Sequence, residues 1–136
     1  MIGVLEKLVI LREATLFGGL SGEELYPVGE IAELVGHAPG DVVVRQGDPG
    51  DALFVVARGT LRVVKDGKAL REIGRGAVFG EVALLDGAPR AATVEAVTDA
   101  ELLRVPRSEL EALLDESPEI ARAVIRMLLG YLRAAS

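Results

Sequence analysis

The stretch 79–94 holds one acid, Glu81, and one base, Arg90, nine positions apart. Small residues flank both charges, namely Gly80, Ala83, Ala91 and Ala92. Small side chains let a ligand approach backbone N–H groups closely. The planar guanidinium matches two phosphate oxygens, and the carboxylate accepts hydrogen bonds from a ribose hydroxyl. These residues are suited to one negative charge beside a sugar hydroxyl, which describes a cyclic nucleotide monophosphate.

The same stretch permits a short helical turn over residues 80–85. The free N–H groups of such a turn would favour an anion. The alternative is an ordinary surface Glu–Arg pair in a loop rich in glycine and alanine, and pairs of that kind contribute roughly 0–1 kcal/mol. The residues by themselves leave both interpretations open.

Two submotifs resemble the phosphate-binding cassette of cyclic nucleotide-binding domains: 80–84, Gly-Glu-Val-Ala-Leu, and 89–94, Pro-Arg-Ala-Ala-Thr-Val. That family includes kinase A regulatory subunits, cyclic nucleotide-gated channels and bacterial catabolite-activator-type regulators. The resemblance implies that Glu81 binds the ribose 2′-hydroxyl and that Arg90 binds the cyclic phosphate. It also implies contacts from backbone amides, so the predicted ligand-binding residues are Phe79, Gly80, Glu81, Val82, Ala83, Arg90, Ala91 and Ala92.

The resemblance further implies cAMP as the ligand, with cGMP as the alternative. In the family, a threonine directly after the cassette arginine tends to favour cGMP, because it hydrogen-bonds the guanine amino group. Ala91 occupies that position in this chain. We therefore predict cAMP binding with no cofactor and no metal.

The sequence offers little chemistry for an enzyme. It contains no cysteine and a single histidine, His37, which excludes thiol catalysis, disulfides and a multi-histidine metal site. None of the four serines lies in a Gly-x-Ser-x-Gly elbow, and no Walker-type phosphate loop is present. We predict that the protein is not an enzyme.

Composition limits the other partners. The net charge is −6, and no stretch combines basic and aromatic residues, so direct nucleic-acid binding is not expected. No apolar run reaches membrane length and no signal peptide is visible, which predicts no membrane insertion and a cytoplasmic location.

The periodicity and the resemblance predict a mainly β fold with flanking helices, an eight-stranded jelly-roll β-barrel with N-terminal helices and C-terminal lid helices. The length of 136 residues fits a single domain over 1–136. We predict N-terminal helices in 1–38, a β-roll in 39–106 that contains the cassette 79–94, and C-terminal helices in 107–136.

In the N-terminal part, apolar residues at helical spacing predict a helix over 2–13. Ser21 followed by Glu24 is a capping-box signature for a second helix, which Pro27 should shorten or kink. We expect residues 31–35 to resume the apolar helical face.

The middle of the chain predicts short strands separated by turns. Asp66-Gly67 is the preferred pair for a two-residue hairpin loop. The predicted strands cover 42–44, 52–57, 61–65, 68–73, 93–97 and 101–105.

Two helix starts are predicted near the C-terminus: Ser108 with Glu111 as a capping box, and Ser117-Pro118 as an N-cap and first-turn proline. In the family, the last helix swings over the barrel and covers the base. The alternative is that its apolar face packs permanently on the barrel. Three residues of this helix are candidate base contacts: Arg122, Arg126 and Tyr131. An aromatic residue at helical spacing, such as Tyr131, is more often part of the core.

The resemblance implies a cyclic nucleotide sensor whose ligand shifts the last helix and so regulates a fused or partner effector absent from this chain. One alternative is a degenerate fold that acts as a scaffold or interaction domain. Another is an excised effector-binding domain of a transcription regulator. A homodimer through the last helix is a further expectation, because Leu128, Leu129 and Leu132 are partly free to face a partner.

Overall fold

The computed structural model describes residues 2–14, 16–81 and 87–134, with the backbone alone at Tyr131. Helices flank eight strands in this part of the chain. Two helices come first, α1 (Val4–Glu13) and α2 (Gly22–Ile31). The strands are β1 (Glu33–His37), β2 (Val42–Val44), β3 (Ala52–Arg58), β4 (Leu61–Lys65), β5 (Lys68–Ile73), β6 (Val78–Phe79), β7 (Thr93–Ala96) and β8 (Ala100–Pro106). Two more helices follow, α3 (Arg107–Glu116) and α4 (Pro118–Ala134).

The strands form two four-stranded antiparallel sheets. The first sheet has the order β1-β8-β3-β6, and the second has the order β2-β7-β4-β5. The prediction of a mainly β fold with flanking helices is confirmed. All six predicted strands match observed ones within one residue at each end.

Strand β3 explains why the protein has two hydrophobic clusters. Leu53 and Val55 belong to a cluster shared with the helices, whereas Phe54 and Val56 belong to a cluster between the sheets. Successive side chains of a strand point to opposite faces, so one strand supplies both clusters. The helices therefore cover one face of the first sheet, and the second sheet covers the other.

The hairpin between β4 and β5 has the predicted loop. Asp66 and Gly67 have φ values of 52° and 77°. Two consecutive positive φ values are what a type I′ turn requires. Gln46 reaches this turn, because its amide donates to Asp66 Oδ1 at 2.8 Å and accepts from the Asp66 N–H at 2.9 Å.

The predicted helical face at 31–35 is wrong. Helix α2 runs through Pro27 but ends at Ile31, and Glu33–His37 form β1. Leu34 and Val35 pair with Leu103 and Leu102 of β8, about 70 residues further along the chain. This long-range pairing decides the conformation, and the predicted boundary at residue 38 falls after the first strand.

The capping box predicted at Ser108 is also wrong. Helix α3 begins at Arg107 with Pro106 as its N-cap, and no side chain caps it. Glu111 instead pairs with Arg107 at 2.9 Å, one turn away. The other two predicted caps are confirmed: Ser21 forms a full capping box with Glu24, and the Ser117 hydroxyl accepts from Ile120 N at 3.4 Å.

Candidate functional site

The backbone of Arg90 is fixed by the loop between β2 and β3. The Arg90 N–H donates to the carbonyl of Asp48 at 2.7 Å, and the Gly47 N–H donates to the carbonyl of Arg90 at 2.9 Å. Pro49 and Pro89 form an isolated β-bridge beside these bonds. The β2–β3 loop therefore sets the position from which the Arg90 side chain enters the protein.

The Arg90 side chain is only 5% exposed. Its Nη2 donates to the carbonyl of Ala52 at 3.0 Å and to Asp51 Oδ1 at 3.3 Å. The guanidinium lies 5.8 Å from the centroid of the Phe54 ring, and Phe54 stacks on Phe79 at 5.0 Å. Nη1 is buried and has no hydrogen-bond partner among the described residues.

This arrangement leaves a buried cation incompletely neutralised. Burial lowers the pKa of Arg90, while the nearby carboxylates of Asp51 and Glu81 act in the opposite direction. Arginine stays protonated in proteins, so the buried Arg90 side chain is charged and its removal from water is unfavourable. A buried charged group with an unused N–H donor favours the binding of an anion.

A cavity of about 190 Å³ lies between the sheets next to Arg90. Six of the predicted ligand-binding residues line it: Phe79, Gly80, Glu81, Arg90, Ala91 and Ala92. The structure thus brings Glu81 and Arg90, the two charged residues of the cassette, to one cavity. Val82 and Ala83, with most of the predicted turn at 80–85, lie outside the described residues.

Two of the three predicted base contacts do not lie at the cavity in this structure. Arg122 and Arg126 are exposed on α4, and neither lines it. Arg126 lies near Gly19, with its charge close to Glu24. Early in α4, Ile120 is buried with the helices on the opposite face of the first sheet from the cavity. The side chain of Tyr131 lies outside the described residues.

Two residues of the site escaped the sequence analysis. Asp51 bridges two arginines: Oδ1 contacts Arg90 and Oδ2 contacts Arg104, each at 3.3 Å. Arg71 of β5 lines the cavity. The requirement of a buried arginine for a carboxylate could have drawn attention to Asp51, whereas only the strand register reveals Arg71.

Within the described ranges 2–14, 16–81 and 87–134, no group of three or more potential metal ligands is found. No helix in the same ranges is long and apolar enough to cross a membrane.

The chain matches a known protein family over more than half of its length. A family model described as "Cyclic nucleotide-binding domain" matches residues 35–117. The chain therefore belongs to the cyclic nucleotide-binding domain family.

The N-terminal domain of a transcriptional regulator from Streptomyces coelicolor is 33% identical, with a TM-score of 0.82 over 93% of this chain and 94% of that one. The regulatory domain of Toxoplasma gondii PKA, solved with cAMP, is 34% identical, with a TM-score of 0.73 over 80% of this chain and 43% of that one. The cAMP-dependent protein kinase regulatory subunit of Aspergillus niger is 32% identical over 82% of this chain and 28% of its own length. The chain thus spans roughly a quarter of that curated relative.

Proposed function

We propose that this domain is a non-enzymatic sensor of cyclic nucleotides and that its ligand is cAMP. The observation that carries the proposal is the buried Arg90 guanidinium, whose Nη1 lacks a partner among the described residues, on a cavity that Glu81 also lines. A cyclic phosphate would supply the missing acceptor and would neutralise the charge. Glu81 would accept a hydrogen bond from the ribose 2′-hydroxyl, and the remaining contacts would come from Gly80 and the residues around it.

The preference for cAMP rests on Ala91. Its methyl group offers no hydrogen bond to the guanine amino group at the position where a threonine would favour cGMP. The Toxoplasma regulatory domain that was solved with cAMP supports the same ligand.

The size of the cavity supports a closing motion. About 190 Å³ is small beside the roughly 300–1,000 Å³ of typical ligand sites, so it suits the phosphate and sugar better than a whole nucleotide. We propose that α4 supplies the missing wall when it closes over the base. Ligand would shift the population toward this closed state, by no more than its difference in affinity for the two states. An effector domain or partner protein outside this chain would receive the signal.

Several finer predictions belong to the same proposal. The strand orders β1-β8-β3-β6 and β2-β7-β4-β5 support an eight-stranded jelly roll. Of the three leucines predicted to face a partner, Leu129 and Leu132 are 42% and 66% exposed on α4, which supports the predicted homodimer, whereas Leu128 packs against the cluster of the helices. Sedimentation would test the dimer. A cytoplasmic location stays a prediction.

A second candidate is the effector-binding part of a transcription regulator. The Streptomyces relative favours it, because this chain matches nearly the whole of that N-terminal domain. Under this second candidate, the domain would regulate transcription, and its ligand site would be the one proposed above. A scaffold without ligand is less well supported, because it gives no reason to keep Arg90 buried with a free donor.

Isothermal titration calorimetry with cAMP and cGMP tests the proposal. We expect wild-type protein to bind cAMP more tightly than cGMP, and Arg90→Leu to weaken cAMP binding by about 2–5 kcal/mol, as when one partner of a buried charge pair is removed. Arg58→Leu is the matched control, because Arg58 is exposed, pairs with Glu101 at 3.0 Å and does not line the cavity. Absence of binding at millimolar nucleotide would favour the scaffold, and tight binding by Arg90→Leu would place the phosphate elsewhere.

A further inference from the structure

Arg104 is a charged residue in the middle of a buried strand. It lies on β8 between Leu103 and Val105, which are both fully buried. It pairs with Glu33 on β1 and with Phe54 on β3. Residues paired directly across neighbouring strands project to the same face of a sheet. Because Phe54 belongs to the cluster between the two sheets, the side chain of Arg104 also projects to the face on which the cavity lies.

The guanidinium of Arg104 lies between two carboxylates. Its Nη2 donates to Asp51 Oδ2 at 3.3 Å, and its Nη1 lies 3.8 Å from Glu33 Oε1. The second distance is too long for a hydrogen bond, so Asp51 is the closer partner. The other oxygen of Asp51, Oδ1, accepts from Arg90 Nη2, also at 3.3 Å. One carboxylate therefore joins Arg104 to Arg90.

The contact with Arg104 selects the orientation of the Asp51 side chain. The backbone of Asp51 is fixed, because its carbonyl accepts from the Arg107 N–H at 2.9 Å. Its side chain is 70% exposed, and an exposed aspartate can occupy several staggered rotamers. Only a rotamer that places Oδ1 at Arg90 and Oδ2 at Arg104 makes both contacts. Arg104 thus favours the rotamer in which Asp51 holds Arg90.

This orientation matters because the two terminal nitrogens of Arg90 have different surroundings. Nη2 is held by Asp51 and by the carbonyl of Ala52. Nη1 lies beside Gly80 at the cavity and has no hydrogen-bond partner among the described residues. Fixing Nη2 therefore keeps Nη1 directed toward an anion in the cavity. Burial and, to a smaller extent, repulsion from Arg104 lower the pKa of Arg90, so the two guanidinium groups lie close enough to interact.

We propose that Arg104 is a positioning residue for the cyclic phosphate: it holds Asp51 in the rotamer that fixes Arg90, and it thereby raises the affinity for the cyclic nucleotide. The inference rests on the proposed function, and it assigns Arg104 no contact with the ligand. Without Arg104, the Asp51 carboxylate is free to leave Arg90 for water. The ligand would then have to order the Arg90 side chain itself, which costs conformational entropy on binding.

Two other roles for Arg104 lead to different expectations. If Arg104 only ties β8 to β1 through Glu33, its removal lowers stability and leaves binding unchanged. If its charge attracts the phosphate directly, its removal weakens binding whether or not Asp51 is present. Positioning through Asp51 predicts instead that removal of Arg104 weakens binding only while Asp51 is in place.

The experiment is a double-mutant cycle in cAMP affinity, measured by calorimetry on wild type, Arg104→Met, Asp51→Ala and the double variant. Methionine keeps an unbranched apolar stem on the buried strand and removes the guanidinium. We expect Arg104→Met to raise the dissociation constant roughly 3- to 10-fold, within the range of coupling in one ion-pair network. In the Asp51→Ala background, the same substitution should change it by less than about twofold.

Arg58→Met is the matched control. Arg58 on β3 pairs with Glu101 on β8 at 3.0 Å, so it forms an ion pair across the same two strands. Within the described part of the chain, it contacts neither Asp51 nor the cavity. Arg58→Met should leave the dissociation constant unchanged. Glu33→Gln, which removes the other partner of Arg104, should leave it unchanged as well.

Two results would overturn the proposal: an unchanged dissociation constant in Arg104→Met, or an equal loss of affinity with and without Asp51. If wild type binds no cyclic nucleotide, the proposed function itself fails, and that outcome is distinct. Should Arg104→Met not fold, Arg104→Gln removes the same guanidinium and leaves a polar side chain. The same two results in Arg104→Gln would then count against the proposal.

Discussion

Gly80 and Arg90 are in such close contact that a side chain at residue 80 would displace the guanidinium. A Cβ atom on Gly80 would stand 2.5 Å from Arg90 Nη1 and 2.7 Å from the carbonyl oxygen of Ala52. Gly80 also has a φ of +89°, which side-chain-bearing residues rarely adopt. Gly80, which directly precedes Glu81, is thus part of the wall that holds the Arg90 guanidinium in place.

Gly80→Ala should therefore impair both stability and ligand binding. The backbone strain alone costs about 1–2 kcal/mol, and the clash must be relieved by moving the Arg90 side chain. We expect chemical denaturation to show a loss larger than the strain, and calorimetry to show weaker cAMP binding.

Gly40→Ala is the control for that experiment. Gly40 has nearly the same φ, +90°, and a Cβ there would meet nothing within 4 Å. Gly40→Ala should therefore lower the free energy of unfolding by the backbone strain alone, and it should bind cAMP as wild type does. Equal effects of the two substitutions on binding would mean that contact with Gly80 does not position Arg90.

A structural feature can be predicted from the sequence when it depends on residues that are close together along the chain. The Asp66-Gly67 loop is decided by two neighbouring residues, and both the loop and its flanking strands are confirmed. Strand β1 is decided by pairing with β8, which no local pattern reveals. The contact of Asp51 with Arg90 and the inward position of Arg71 arise in the same way, from tertiary packing and strand register.

The two capping-box motifs make this difference measurable. Ser21 accepts from the Glu24 N–H at 3.1 Å, and Glu24 Oε1 accepts from the Ser21 N–H at 2.9 Å. Ser21→Ala should lower the free energy of unfolding by about 1 kcal/mol, the usual cost of a lost N-cap. Ser108→Ala should change it far less, because Ser108 follows the first residue of α3 and caps nothing. Urea denaturation of both variants checks the prediction, and equal losses would contradict it.

The pair of Glu13 and Arg75 should make stability depend on pH. Arg75 Nε and Nη2 donate to the two oxygens of Glu13 at 2.5 and 2.6 Å, linking the end of α1 to the loop before β6. These hydrogen bonds, assisted by the charge of Arg75, lower the pKa of Glu13 from its ordinary 4.5. A lowered folded-state pKa contributes stability above the unfolded-state value, and this contribution is lost as the pH falls through the folded-state pKa.

Glu13→Gln should thus destabilise the protein slightly at pH 7, and the difference from wild type should vanish as the pH falls well below 4.5. Thermal unfolding across this range measures it. Glu23→Gln is the control at another exposed carboxylate. A difference between wild type and Glu13→Gln that persists unchanged at low pH would show that the ion pair is not its source.

The proposed closure of α4 can be tested directly, because the chain has no cysteine and accepts spin labels at chosen sites. Lys68→Cys on β5 and Arg133→Cys near the end of α4 are both at exposed positions, and neither residue lines the cavity. If α4 closes over the base, saturating cAMP should shorten the distance between the two labels, as measured by double electron–electron resonance. The same pair of labels in an Arg90→Leu background should not respond, because that variant lacks the group that holds the phosphate. A distance distribution unchanged by cAMP in the protein with Arg90 intact would show that α4 stays packed with α2 and α3. The signal would then have to leave the site by another element.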